Sequence, residues 1–308
     1  MDPNDQEDRS EFAASPLAAE SMHAPCPWGM SVEVDLAALS HPGRVRPNNE
    51  DHYLVLRSGR YLRTCMTNLP EGRVPHEFEE TVYVMAVADG MGGHAAGEVA
   101  SQLALTLFVD HVLETPDWIF PHDDLRMVEV LKRAVQRFRS VNAALLEQAR
   151  RNPRLAGMGT TLTVAMSFGL VLKVAHVGDS RVYLLRRGVL HRLTWDHTLA
   201  QELADLGNIP AEDVATHPLR KILTHAIGLS EGGGEPDVRR LRLADGDRLL
   251  LCTDGLTEMV DDATIAAELG RDRPAAEVCQ GLLDLALDRG GLDNVTIVVA
   301  GYRIPEGP

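Results

Sequence analysis

Beyond residue 29 the chain is built from short apolar runs punctuated by Gly, Asp and Pro. SVEVDLAAL, DHYLVLR, TVYVMAVA, TLTVAMSF, LVLKVAHV, RVYLLR, RLLLCT and NVTIVVAGY are rich in Val, Leu, Tyr and Thr and predict strands. Helical spacing takes over at Val99, Leu103 and Leu107, and again at Leu125, Val128, Leu131, Val135 and Phe138. Residues 264–287 predict two short helices, with Pro274 in the first turn of the second. LVLKVAHV, Gly178-Asp179-Ser180, RVYLLRRG and VLHRLT follow one another with only tight turns between them. That is a meander, so the sheets are expected to be antiparallel and the class α+β. From Trp195 to Arg239 the chain carries Pro210, Pro218 and three consecutive glycines, which predicts an irregular surface excursion of the kind that hosts binding loops. No linker and no internal repeat interrupts the pattern, so residues 30–304 are expected to form one domain.

Composition adds limits. The 308 residues allow one large domain or two ordinary ones, and 44% apolar residues suffice for a substantial core. Residues 1–29 are acidic with few large apolar side chains; they are expected to be a disordered tail, neither signal peptide nor membrane anchor. A net charge of -15 argues against nucleic-acid binding, which needs an excess of Lys and Arg. Cys26, Cys65, Cys252 and Cys279 lack the spacing of a zinc site or a disulfide framework, and none is followed by the phosphate-loop arginine of a cysteine-dependent phosphatase. Cys252, inside RLLLC, is expected to be a buried small hydrophobe, and a reducing, cytoplasmic home follows.

The informative residues are acids at the ends of apolar strands. Asp89 follows TVYVMAVA, Asp254 follows RLLLCT, Asp293 precedes NVTIVVA, and Glu50 and Asp51 open DHYLV. A strand end is a rigid mount, and carboxylates projecting from neighbouring ends repel one another unless a cation lies between them. Oxygen-only ligation suits a hard ion, Mg2+ or Mn2+, rather than zinc. An isolated Asp-Gly is usually a plain turn; three strand-end aspartates with NNED are more than that.

RVRPNNED, ADGMGGHAAGE, GMGTTL, VGDSR, CTDGLTE and GGLDNVTIVV occur in the order seen in the metal-dependent protein phosphatases. From about Val32 to Tyr302 the chain resembles the bacterial branch of that type 2C serine/threonine family. The resemblance implies a four-layer α-β-β-α sandwich of two antiparallel sheets flanked by helix pairs, with a metal centre at one edge. By position it implies that Asp89 bridges two Mn2+ or Mg2+ ions. Asp254 and Asp293 would complete one ion's ligands, Glu50 and the Gly90 carbonyl the other's, and Asp51 would hold water behind them. Asp179 of VGDSR matches a residue that helps bind a third, weaker ion, although as a sequence feature it is equally a hairpin corner. Arg46 matches the arginine that grips substrate phosphate, a task suited to a planar guanidinium.

The implied activity is hydrolysis of phosphoserine and phosphothreonine by in-line attack of a water that the two ions activate, with no phosphoenzyme. The leaving alkoxide must gain a proton. Met91 stands where the animal branch has a His directly after Asp-Gly, and His94 arrives three residues later. Whether His94 is the acid, water on the ions serves instead, or His94 merely packs at a helix start stays open at this level. The implied partners are phosphorylated proteins, serine/threonine kinases and their substrates among them, with no nucleic acid and no membrane; a monomer is the expected state.

Rival assignments exist. Gly90-Met91-Gly92-Gly93-His94-Ala95 fits the dinucleotide fingerprint G-x-G-x-x-A, with Asp110 about twenty residues on. Against it, Asp89 would face the pyrophosphate and Asp110 falls within the helical pattern. A silent phosphoprotein-binding module would have lost a metal ligand, and none is missing. Phosphatases of anti-sigma-factor antagonists usually carry sensor domains, absent here. Two segments are candidates for setting specificity: residues 195–234 match the family's variable flap, and residues 57–80 lengthen the connection between the first two matched strands, as a docking insert or a longer loop.

Overall fold

A computed structural model of the protein describes residues 32–92, 96–114 and 124–305, with side chains in the last segment from residue 132. The expected tail (residues 1–29), Cys26, His94, and the side chains of Leu125, Val128 and Leu131 lie outside the described residues. The chain begins with strands β1 (Glu33–His41), β2 (Asp51–Arg63) and β3 (Glu77–Met91), then helices α1 (Ala96–Glu114) and α2 (Asp124–Arg151). Strands β4 (Gly159–Thr160), β5 (Leu162–Phe168), β6 (Val171–Val177), β7 (Arg181–Arg186) and β8 (Val189–Arg192) follow, then helix α3 (Leu199–Asp205). Strands β9 (Asp237–Arg242) and β10 (Arg248–Cys252), helices α4 (Asp254–Thr257), α5 (Asp262–Leu269) and α6 (Ala275–Asp288), and strand β11 (Val295–Arg303) complete it.

One sheet runs β1-β11-β10-β7-β8 and the other β2-β3-β5-β6-β9, with β4 paired to β3; the pairings are antiparallel. Period-two alternation explains the layers. On β3, Met85 and Val87 point into a core between the sheets, while Val82, Val84, Ala86 and Ala88 face α1 and α2. On β10, Leu249 and Leu251 face the other sheet; Leu250 and Cys252 face α5 and α6. Three cores therefore separate four layers, as the resemblance implied. Cys252 is fully buried, and burial pushes its thiol up to about 12, so it acts as a hydrophobe.

Several local expectations are corrected. Val99, Leu103 and Leu107 only flank the buried face of α1, which is Ala100, Ser101, Ala104, Leu105 and Phe108; small residues let the helix approach β3 closely. Pro274 is the residue just before α6 rather than within its first turn. Gly178-Asp179-Ser180 is not a hairpin turn. It carries the chain from β6 in one sheet to β7 in the other; the next link, β7–β8, is a hairpin, through Arg187 and Gly188 at φ 51° and 79°. The insert at residues 57–80 is part ribbon and part loop: β2 and β3 continue in register to Arg63↔Glu77, joined by ion pairs Arg57–Glu79 and Arg60–Glu80, and residues 64–76 connect them without regular structure. The dinucleotide fingerprint fails, since β3 lies in an antiparallel sheet and Asp110 is an exposed residue of α1.

Candidate active site

The site lies where the ends of central strands from both sheets meet. Asp89 is at the end of β3, paired in register with Asp51 at the start of β2. Asp254 begins α4 directly after β10, and Asp293 stands two residues before β11. Asp179 sits in the crossover between the sheets, and Glu50 precedes β2. A cleft of about 590 Å³ is lined by Glu50, Asp89, Gly90, Asp179, Asp254 and Asp293 together with Arg46 and Lys221. Of the acids expected to act here, only Asp51 is absent from the lining. It is buried behind the others.

Glycine permits this convergence. A Cβ on Gly97, in the first turn of α1, would stand 2.7 Å from Glu50 Oε2 and 2.8 Å from the Gly90 carbonyl carbon. Gly90 and Gly97 thus serve close approach of α1 to the strand ends, not a nucleotide. The Gly90 amide donates to the Glu50 carbonyl at 3.2 Å, and Ser101 Oγ donates to the same carbonyl at 2.6 Å. Asp89 is pinned through its backbone: its N–H donates to Thr161 Oγ1 at 2.9 Å and its carbonyl accepts from Thr160 Oγ1 at 2.8 Å. Its carboxylate is left for the cleft.

Electrostatically the site is frustrated. Desolvation first, and then the charges of Asp51, Asp254, Asp179 and Asp293, raise Asp89 well above the ordinary carboxylate value. Desolvation with Glu258 and Asp293 raises Asp254 to about 6. Asp179 is raised well above its ordinary value, by desolvation and then by Asp254. Glu50 is raised by desolvation despite the nearby charge of Arg46. Desolvation lifts Asp51 to about 7, although the hydroxyls of Thr253 and Thr296 pull it back. Thr253 Oγ1 donates to Asp51 Oδ2 at 2.8 Å, whereas Asp51 Oδ1 is buried with no hydrogen-bond partner. Acids so placed call for positive charge.

Part of that charge is already present. Arg46 Nη2 donates to Asp293 Oδ2 at 2.7 Å, and this bond, then the charge of Asp293, holds the guanidinium more firmly protonated than usual. Lys221 Nζ lies 2.7 Å from Glu258. Partial desolvation lowers Lys221, but Glu258, Asp254 and Asp293 outweigh it and leave the ammonium raised.

The donor set fits a hard cation: oxygen only, several carboxylates, and one orphaned buried oxygen behind them. Among the described residues, no three acidic, histidine or cysteine side chains are drawn together as a finished cage.

Residues beyond the sequence expectations hold the site together. Asn294 accepts from the Glu50 N–H at 2.8 Å and donates to the carbonyls of Pro42 and Asn48 at 3.0 and 2.8 Å, tying RPNN to the start of β11. Thr253 joins Asp51 to the Thr296 amide, which donates to its hydroxyl at 3.0 Å. His197 accepts from the Gly178 N–H at 3.1 Å, and its own N–H donates to the Gly178 carbonyl at 2.7 Å, so it fixes the crossover that carries Asp179. Only their adjacency to the acidic motifs hinted at Thr253 and Asn294.

A sandwich of two antiparallel sheets with helix pairs outside and strand-end acids at one edge is a known phosphatase architecture, and comparison with known proteins agrees. A family model for Protein phosphatase 2C matches residues 76–280. The serine/threonine protein phosphatase PstP of Mycobacterium tuberculosis is 42% identical over 233 residues, covering 74% of this chain and 43% of that protein. This chain therefore spans less than half of PstP's length. The serine/threonine phosphatase Stp of Listeria monocytogenes is 36% identical over 258 residues, 83% of this chain and 91% of that protein. The crystal structure of the PstP catalytic domain with two manganese ions superposes with a TM-score of 0.68 at 37% identity, over 89% of this chain and 100% of that one. The chain belongs to the protein phosphatase 2C family.

Proposed function

We propose that the chain is a metal-dependent protein serine/threonine phosphatase. The observation that carries this is the convergence of Asp89, Asp179, Asp254, Asp293 and Glu50 with Arg46 on one cleft. Relatives named as serine/threonine phosphatases, and one solved with two manganese ions, support it. In this assignment two Mn2+ or Mg2+ ions would be held by Asp89, with Asp254 and Asp293 on one side and Glu50 and the Gly90 carbonyl on the other. Asp179 contributes to a third, weaker ion. The ions, when bound, act as Lewis acids and activate water for attack on phosphorus.

The chain's own residues do the rest. Arg46, freed from Asp293, takes two phosphoryl oxygens in a fork and offsets the charge that develops on them. Asp51, buried and short of one partner, orients water behind the ligands. His94 stays the candidate acid for the leaving alkoxide. The substrates on this account are phosphorylated proteins, serine/threonine kinases and their targets among them, acted on by a monomer in the cytoplasm. Free cysteines at positions 65, 252 and 279 suit that compartment, and no helix among the described residues is long and apolar enough to cross a membrane. Hydrolysis of p-nitrophenyl phosphate with Mn2+ or Mg2+, abolished by EDTA and restored by adding metal back, is the expected result. Equal turnover in chelator would overturn the proposal.

A further inference from the structure

Two basic side chains line the cleft, Arg46 and Lys221, and the mechanism above uses only Arg46. Lys221 belongs to the excursion between α3 and β9. It meets Glu258, just past α4, at 2.7 Å, and Arg220 approaches the same carboxylate at 3.7 Å. Two cations therefore share one largely covered carboxylate beside the cleft. The Lys221 side chain is 46% exposed while Glu258 is 16% exposed, so the ammonium and not its partner faces an arriving chain. Ile222 and Leu229, next to Lys221 and in the lining respectively, are exposed by 48% and 44% and offer apolar surface alongside.

We infer that Lys221 is a specificity-determining residue that recognises an acidic side chain flanking the phosphorylated residue of the substrate; this rests on the phosphatase assignment. Three observations lead there. A cleft walled by carboxylates in a chain of net charge -15 repels acidic peptides, so a cation in its lining, whose partner Glu258 is shared with Arg220, has its largest effect on them. The group Lys221 already holds is a carboxylate, so a substrate Asp or Glu replaces like with like. Arg220 remains to keep Glu258 paired when the flexible lysine stem swings away. The phosphoryl group itself has Arg46.

The test uses the full chain with Mn2+ and three phosphothreonine peptides, identical except for Glu, Gln or Lys on either side of the phosphoresidue. For wild type, Lys221→Gln and Lys221→Glu, kcat/KM on each peptide is divided by that variant's own value on p-nitrophenyl phosphate, which cancels any general loss. Wild type is expected to favour the Glu peptide over the Lys peptide by about fivefold, the upper range of a half-exposed ion pair. The preference vanishes in Lys221→Gln and reverses in Lys221→Glu, chiefly through KM. An unchanged ratio across the three proteins overturns the inference, because it leaves Lys221 only the role of neutralising the site. No turnover of any substrate by wild type overturns the phosphatase assignment itself and the selection with it.

Discussion

Asp51 carries the most measurable consequence of the site's electrostatics. In the metal-free protein its carboxyl is buried, lifted from 3.8 to about 7, and one of its oxygens has no partner. A carboxyl whose pKa is raised by folding favours the folded state below the unfolded value. That support is lost as pH rises through the folded value. The window is therefore about pH 4 to 7. At ~1.4 kcal/mol per tenfold, ionising Asp51 costs the fold about 4 kcal/mol by pH 8 and about 2 kcal/mol at pH 5. Asp51→Asn removes that cost, keeps an acceptor for Thr253, and leaves an amide N–H unpaired at about 1–3 kcal/mol at either pH. The difference in stability between variant and wild type should thus shift by ~2–3 kcal/mol in favour of Asn between pH 5 and pH 8. In a domain of this size that is roughly 5–10 °C in relative Tm. Urea and thermal unfolding in EDTA at the two pH values measure it. A variant-to-wild-type difference that is the same at both pH values, or that moves toward wild type at pH 8, would refute the reasoning.

Other substitutions probe separate parts of the account. Arg46→Lys keeps the charge but loses the fork, so kcat/KM for an aryl phosphate should fall about 10- to 100-fold while Tm stays near wild type; steady-state kinetics check it. Gly97→Ala drives a methyl into Glu50 Oε2 and the Gly90 backbone, and should cost about 1–3 kcal/mol in urea unfolding together with most of the turnover. Arg186 and Asp247, both buried, form a two-bond pair at 2.9 and 2.6 Å at the end of β7 and just before β10, away from the cleft. Asp247→Ala removes the guanidinium's buried counter-charge, leaving its bond to the Arg242 carbonyl, and should cost about 3–5 kcal/mol in the same experiment.

The cleft's acids were legible because an apolar run ending in Asp is a sharp pattern: each run became a strand, and the strand end became the mount. Their order along the chain located the family. What stayed hidden is instructive. LVLKVAHV and RVYLLR are buried on both faces, so their apolar residues carry no mark of which sheet each joins, and the crossover at Asp179 resembled a hairpin. DVRRLR escaped as a strand because its arginines look like surface; it pairs with β6 all the same. RYLR and EFEE became a ribbon through cross-strand Arg–Glu pairs and a guanidinium over Phe78, forces that a hydrophobic pattern does not register. Thr161, Thr253 and Asn294 act by hydrogen bonds to residues far away in sequence, and Lys221 acts from an irregular segment whose path no periodicity encodes.

The central claim is that strand-end carboxylates, with divalent metal, hydrolyse phosphoproteins. Its most direct test is phosphate release from a phosphothreonine peptide by wild type and Asp254→Asn, each in Mn2+ and in EDTA, with circular dichroism confirming that both are folded. The account predicts turnover only by wild type in Mn2+, with the variant reduced by at least about a hundredfold. Comparable release by folded Asp254→Asn in Mn2+, or by wild type in EDTA, would contradict it.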